Sequence, residues 1–303
     1  VKEITVISGK GGTGKTSIVA SFAALTGDAV LADCDVDAAD LHLILDPKIL
    51  EQHEFRGGKK AEIISEKCGN CGDCLALCRF SAITRKLNNA TSENNYVINP
   101  ISCEGCGICA WFCPDKAIEF KEAVNGTWFI SNTRYGPMVH AKLGIAEENS
   151  GKLVTLVRNN AKKIAEKENR QIIIVDGSPG IGCPVIASIT GADLVLIVTE
   201  PTLSGEHDLE RVTKLAQHFK IPAVICINKS DLNPEISKRI AKNARAKGYP
   251  SIGNIRYDKM VTKAQMAKAA VVEYTNLPIK DDIISIWKNV LAKLEQGTKN
   301  GKH

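Results

Sequence analysis

Residues 4–17 read Ile4-Thr5-Val6-Ile7-Ser8-Gly9-Lys10-Gly11-Gly12-Thr13-Gly14-Lys15-Thr16-Ser17, and this stretch decides the fold. A short apolar run suited to a buried strand enters a glycine-rich turn, and the turn opens into residues 17–25, which suit a helix. Glycines at 9, 11, 12 and 14 let the backbone turn its N–H groups inward at φ values that side chains resist. The helix that follows adds the positive end of its dipole, which draws an anion to its start. Read as G-x-x-x-x-G-K-T, the match is Gly9, Gly14, Lys15 and Thr16. Residues 9–17 are then the expected cradle for a nucleotide, with Lys15 on the β- and γ-phosphates and the Thr16 hydroxyl on Mg²⁺.

Further strands belong to the same layer. Residues 29–32 read as a buried strand ending in Asp33-Cys34-Asp35-Val36-Asp37, and acidic groups at such a strand end sit where ligands bind in an open α/β sheet. One of the three is expected to cap a helix, and Cys34 to be a small buried residue. Residues 171–175 are a fully apolar strand that delivers Asp176 into Gly177-Ser178-Pro179-Gly180-Ile181-Gly182. A carboxylate there holds Mg²⁺ through water, and the glycines suit a loop that senses the γ-phosphate. Residues 194–198 and 223–227 are two more core strands, the second leading into Asn228-Lys229-Ser230-Asp231. The pattern predicts a mostly parallel α/β sheet with helices on both faces.

Between the second strand and the Asp176 strand the composition changes. Cys68, Cys71, Cys74 and Cys78 follow C-x2-C-x2-C-x3-C, and Cys103, Cys106, Cys109 and Cys113 repeat it, with Pro114 directly after. This is the spacing of a bacterial two-cluster ferredoxin. Each run supplies three thiolates to one [4Fe–4S] cube while its fourth cysteine closes the other cube. The crossed rule assigns Cys68, Cys71, Cys74 and Cys113 to one cluster, and Cys78, Cys103, Cys106 and Cys109 to the second. Zinc is the alternative, with ligand spacing that normally differs. Cys78 is followed by Arg79 rather than proline. Trp111 and Phe112 are expected to shield a cluster from water. Asn88-Asn89 and Asn94-Asn95 suggest turns, and residues 119–130 a hairpin on a type I′ turn at Asn125-Gly126. The resulting division is residues 1–57 and 127–303 as one nucleotide-binding domain, with 58–126 as a ferredoxin-like α+β insertion. After it, residues 138–143 are strand-like, 146–152 a polar loop and 153–168 a helix.

Lys10 adds a resemblance. Lys-Gly-Gly-x-Gly-Lys-Thr resembles the deviant Walker A of the family that holds MinD, ParA and the nitrogenase iron protein. The resemblance implies ATP and Mg²⁺ as ligands and a nucleotide-sandwich dimer in which Lys10 reaches the partner's phosphates. It also places Asp35 beside the γ-phosphate, orienting water or holding a Mg²⁺-bound water, and Asn228 on adenine. Lys10, Lys15 and Asp35 are thereby the expected catalytic residues. Asn228-Lys229-Ser230-Asp231 resembles the guanine-reading motif of GTPases as well, so GTP stays open. With Ser150-Gly151-Lys152-Leu153-Val154 and Thr199-Glu200-Pro201, the chain resembles MinD-superfamily ATPases that carry an inserted ferredoxin domain. Cys183 lies seven residues after Asp176, an offset shared with a cluster-bridging cysteine of the nitrogenase iron protein, though a counterpart of that protein's second cysteine is lacking.

Composition sets outer bounds. The 303 residues are 44% hydrophobic and 24% charged with a net charge of +5, ordinary for a globular chain and weak as an argument for nucleic acid. No apolar run of about 18 residues exists, and the chain enters its first strand at once, so a cytoplasmic location without a signal segment is expected. The eleven cysteines then read as metal ligands rather than disulfides. Lys238, Arg239, Lys242, Arg245 and Lys247 form one basic helix face, read as solvated. The apolar positions 283, 284, 286, 287, 290, 291 and 294 recur at helical spacing and are read as packing on the sheet rather than on a membrane. Expected partners are a second copy or a related ATPase subunit through the nucleotide face, and a redox or cofactor-assembly protein. Two functions follow: an ATPase that couples dimer closure to electron transfer or iron–sulfur cofactor assembly, or a MinD- or ParA-like positioning ATPase whose clusters sense redox state.

Overall fold

The structure is a computed structural model that describes residues 1–87, 94–144, 147 and 150–300. In chain order its elements begin β1 (Lys2–Ser8), α1 (Lys15–Thr26), β2 (Val30–Asp33), α2 (Leu41–Leu45), β3 (Lys48–Phe55) and β4 (Gly58–Ile63). They continue with α3 (Asp73–Leu77), β5 (Ile83–Leu87), β6 (Asn94–Ile98), α4 (Ile108–Trp111), β7 (Ile118–Ala123), β8 (Gly126–Thr133) and β9 (Gly136–Leu143). Next come α5 (Ser150–Lys167), β10 (Ile172–Pro179), α6 (Cys183–Ile189), β11 (Leu194–Thr199), α7 (Leu203–His218) and β12 (Ala223–Asn228). The last are α8 (Pro234–Ala246), β13 (Ser251–Ile255), α9 (Met260–Met266), α10 (Val271–Tyr274) and α11 (Pro278–Asn300). The chain divides into two compact units, one from Val1–His53, Trp128–Lys142 and Ser150–His303, the other from Glu54–Thr127 and Leu143–Asn149.

The first unit is built on a sheet ordered β13-β12-β11-β1-β10-β2-β9-β8-β3. Every pairing from β13 to β9 is parallel. Only Arg134 and Tyr135 join β8 to β9, too few for a crossover, so these two run antiparallel. Alternation along the strands fills both faces: Val6, Leu196 and Val198 enter one apolar cluster, while Ile7, Val195 and Ile197 enter the other. A parallel sheet buried on both faces is what near-continuous apolar strands predict. The mostly parallel α/β architecture is therefore as read.

α11 belongs to this core. Ile283, Ile286, Trp287, Val290 and Leu294 are buried, and the Trp287 ring lies 4.7 Å from that of Phe22 on α1. The apolar stripe is thus occupied within the fold, and among the described residues no helix is long and apolar enough to cross a membrane. On α8, Arg239 pairs with Glu206 at 2.6 Å and Lys247 with Glu210 at 3.0 Å. That face is tied to α7 while Lys238, Lys242 and Arg245 stay exposed.

Three local expectations need correction. Ser150–Lys152 open α5 instead of forming a loop, and Gly151 lies in its first turn, where a Cβ would make only ordinary contact with Cys183. The rest of the expected 146–152 loop lies largely outside the described residues, as do Asn88 and Asn89. Asn94 and Asn95 begin β6 and form no turn. Asn125-Gly126 does not close a hairpin, because β7 pairs with β4 in a separate sheet while β8 joins the large one. The Asn125 side chain is occupied otherwise, accepting from the backbone N–H groups of Gly57 at 3.0 Å and Gly58 at 2.8 Å.

The second unit repeats itself thirty-five residues on. β4 pairs antiparallel with β7, and β5 with β6, so each half lends a strand to the other. Left-handed backbone falls at Asn70, Gly72 and Ser81 in the first half and at Gly105, Gly107 and Lys116 in the second. The sequence repeat of cysteines is therefore matched by a repeat of turns, each bending the chain around its own C-x2-C-x2-C run.

Candidate functional site

At the carboxyl ends of β1, β2 and β10 the phosphate loop meets two acidic strands. Gly12 and Gly14 have φ of 77° and 91°, and Gly14 stands immediately before α1, so the loop needs glycine where the backbone turns. Gly180 N–H donates to Ser8 O at 2.8 Å, which ties the loop after β10 to the end of β1. Asn228 Nδ2 donates to Thr13 O at 2.8 Å and Lys229 Nζ to Gly12 O at 3.0 Å, so the end of β12 braces the loop from behind. A Cβ on Gly9 would fall 2.4 Å from the Asp208 Cβ, which explains glycine there; at Gly11 a Cβ would meet nothing.

The charged groups converge. Lys15 is buried and its Nζ lies 3.6 Å from Asp35. Burial raises the Asp35 pKa against the pull of Lys15. Asp176, fully buried, has neither carboxylate oxygen in a well-formed hydrogen bond. Burial pushes its pKa up to about 6, although the Lys15 charge and the adjoining Thr16 hydroxyl both favour the charged form. Thr13 Oγ1 is also buried without a partner. Asp33 is raised further, first by burial and then by Asp176, and it accepts from the backbone N–H groups of Asp35 and of Leu41, both at 3.2 Å. It is therefore the member of the acidic trio that receives the start of α2. Buried polar groups in folded proteins are nearly always paired, so two open carboxylate oxygens and an open hydroxyl around a buried lysine mark a place for a ligand. A nucleotide phosphate with a divalent cation fits that set in charge and in donor chemistry: oxygen ligands at Asp176 and Thr16, cation at Lys15.

Lys10 points elsewhere. Its Nζ lies 2.5 Å from Glu200, 3.1 Å from Ser204 Oγ and 3.5 Å from Thr202 Oγ1. Glu200 also holds Lys229 at 3.1 Å, and although burial opposes it, the two lysines keep its carboxyl below the ordinary range. Sequence reasoning noted Glu200 only within Thr199-Glu200-Pro201 and missed this role; the signal lay in pairing one carboxylate with two loop lysines. Ser17, counted in the cradle, receives a hydrogen bond from Gln265 at 2.9 Å. The Asn228 amide is engaged with the loop and its own Oδ1 accepts from Lys229 N–H at 2.9 Å. Cys183 is exposed at the start of α6.

The second unit gathers the eight cysteines, all as free thiols. Cys78, Cys103, Cys106 and Cys109, the set given by the crossed rule, line one cavity together with Ala61, Leu77, Phe80, Ala82, Ile83, Ile98 and Ile108. Around the other set, burial raises the Cys74 thiol, with Cys68, Cys71 and Cys109 near enough to raise it further. Burial likewise raises Cys109, with Cys103 and Cys106 adding to it. Cys113 Sγ accepts from Ala117 N–H at 3.3 Å. Among the described residues no three His, Cys, Asp or Glu side chains converge as they would around one metal ion. Four thiols about an apolar cavity suit a cube that is wider than one ion, so the donor set fits a [4Fe–4S] group. Trp111 corrects an expectation: it is 86% exposed and stacks only on Phe112, 62% exposed, so neither side chain shields the thiols. Trp111 ends the one-turn α4, Phe112 follows it, and neither lines the cavity, whose apolar lining includes Leu77, Phe80 and Ile108.

Comparison with known proteins agrees with the first unit. The family model of the CobQ/CobB/MinD/ParA nucleotide-binding domain, CbiA, matches residues 4–271, and the chain belongs to this family. The chain is 36% identical over 236 residues to the uncharacterized protein MJ0578 of Methanocaldococcus jannaschii, covering 77% of this chain and 80% of that one. It is also 31% identical over 77 residues to Ferredoxin-1 of Caulobacter vibrioides, covering 24% of this chain and 63% of the ferredoxin. Among solved structures, septum site-determining protein MinD of Pyrococcus horikoshii, complexed with Mg-ADP, superposes with a TM-score of 0.59 at 14% identity over 97% of this chain and 98% of that one. At that identity the likeness is one of fold.

Proposed function

We propose that this protein is an ATPase of the MinD/ParA type that holds two [4Fe–4S] clusters and couples its nucleotide state to electron transfer or to assembly of an iron–sulfur cofactor. The observation that carries the reading is the cavity shared by Cys78, Cys103, Cys106 and Cys109, residues that only the crossed ferredoxin rule would group. Family membership and the open oxygens of Asp176 beside Lys15 support the nucleotide half.

In this reading Lys15 neutralises the β- and γ-phosphates and Asp176 with Thr16 holds Mg²⁺. Asp35, raised in pKa and in reach of Lys15, orients the attacking water. Lys10 must leave Glu200 to contribute a second cation to a transferring phosphoryl group, in its own chain or across a dimer. The clusters, when bound, supply low-potential one-electron transfer. The eight cysteines would hold them, with Leu77, Phe80 and Ile108 supplying apolar lining at the second set and the Ala117 N–H donating to the Cys113 sulfur.

The test is anaerobic reconstitution with iron and sulfide, followed by hydrolysis assays. About eight irons per chain are expected, falling to about four in Cys78→Ser, which leaves the first set intact. Lys15→Ala lowers ATP hydrolysis about 10²–10³-fold without changing iron content. A wild-type chain that takes up no cubane iron, or zinc alone, contradicts the proposal.

A further inference from the structure

The two cysteine runs share their spacing, and at one of the positions where they differ a carboxylate stands in the second half only. Thirty-five residues separate equivalent positions, so Asp115 in the second half corresponds to Phe80 in the first. Phe80 lines the apolar cavity of Cys78, Cys103, Cys106 and Cys109. Asp115 instead crosses to the other half, where its Oδ2 accepts from Gly69 N–H at 2.9 Å. Gly69 adjoins Cys68, and Asp115 stands two residues after Cys113. This single hydrogen bond therefore ties the loop of Cys68, Cys71 and Cys74 to the turn that brings their fourth partner. A Cβ on Gly69 would lie 2.5 Å from that carboxylate oxygen and would push the Asp115 side chain aside; the equivalent position in the other half is Glu104.

We propose that Asp115 is a positioning residue that closes the Cys68–Cys71–Cys74–Cys113 set and, by its charge, lowers the potential of the cluster held there. The inference rests on the two-cluster reading above. Reduction of a cluster adds one negative charge, and a carboxylate fixed beside the site opposes that addition. Replacing it with a neutral acceptor of the same shape keeps the clamp and removes the opposition, so the potential of that cluster rises. The cavity of the second set has Phe80 at this position, and the carboxylate among its own lining residues, Glu104, is left untouched by a change at Asp115.

The experiment is an anaerobic redox titration followed by EPR on reconstituted wild type, Asp115→Asn and Asp115→Ala, with iron counted in each. Asp115→Asn is expected to keep about eight irons and to shift one of the two midpoint potentials upward while leaving the other in place. Asp115→Ala, which lacks the acceptor, is expected to fall toward about four irons, with loss of the spin coupling between neighbouring clusters. Equal shifts of both potentials in Asp115→Asn, or no shift in either, would overturn the inference, as would full iron content with unchanged potentials in Asp115→Ala. A wild type that holds no clusters refutes the two-cluster reading itself, a result separate from all of these.

Discussion

Asp176 concentrates the tension in the nucleotide site. It is fully buried, its oxygens lack well-formed hydrogen bonds, and its pKa stands near 6 because burial disfavours charge. A carboxyl whose pKa is higher folded than unfolded keeps its proton more readily in the fold, so its contribution to stability declines as pH rises from about 4 to about 6. His140, lowered to about 4 chiefly by burial, acts with the opposite sign over nearly the same window and masks the effect in wild type. The difference between wild type and Asp176→Asn removes the His140 contribution and reports the buried Asp33–Asp176 pair, because the Asp176 charge also raises Asp33. In the nucleotide-free state Asp176→Asn is expected to melt higher than wild type at pH 7–8, with the gap closing below about pH 4, and to lose Mg²⁺-dependent hydrolysis. Thermal melts across pH check this; a gap independent of pH contradicts the assignment. That Lys15, Thr16, Asp35 and Asp176 lie together was legible, because strand, turn and helix fix where such residues stand. The Glu200 link between Lys10 and Lys229 was not, since it joins residues far apart in sequence that only the strand order β12-β11-β1 brings together.

Elements were legible where the periodicity is long and both ends are marked. α1 and the apolar strands β10, β11 and β12 fall within a few residues of their expected positions, and α11 packs where its stripe implies. The errors cluster at small polar residues, whose side chains can serve a turn or a distant backbone equally well. Asn125 suggested a tight hairpin, yet its amide holds the chain at Gly57 and Gly58. Gly151 suggested a loop but lies in the first turn of α5 against Cys183. The weight of α11 in the fold can be measured. Trp287 is 6% exposed and packs its ring at a tilt against Phe22, so Trp287→Ala should destabilise the protein by about 3–5 kcal/mol in urea unfolding. A loss below about 1 kcal/mol would mean that the helix docks only loosely on the sheet.

At the level of the molecule, one family fold carries a second unit between β3 and β8, with a further contribution from Leu143–Asn149. The cysteine repeat made this unit conspicuous in sequence, and its left-handed turns repeat at the same interval. The short returning segment was invisible beforehand, because nothing in its composition separates it from an ordinary polar connection. Coupling between the two units requires that nucleotide binding favour one state of the clusters over another; equal affinity for both states would shift nothing. The decisive measurement is an anaerobic titration of the cluster potentials with and without Mg·ATP, on wild type and on Lys15→Ala. The account predicts a nucleotide-dependent shift in wild type that disappears in the variant. Potentials that stay the same with and without Mg·ATP in a protein that hydrolyses ATP would contradict it.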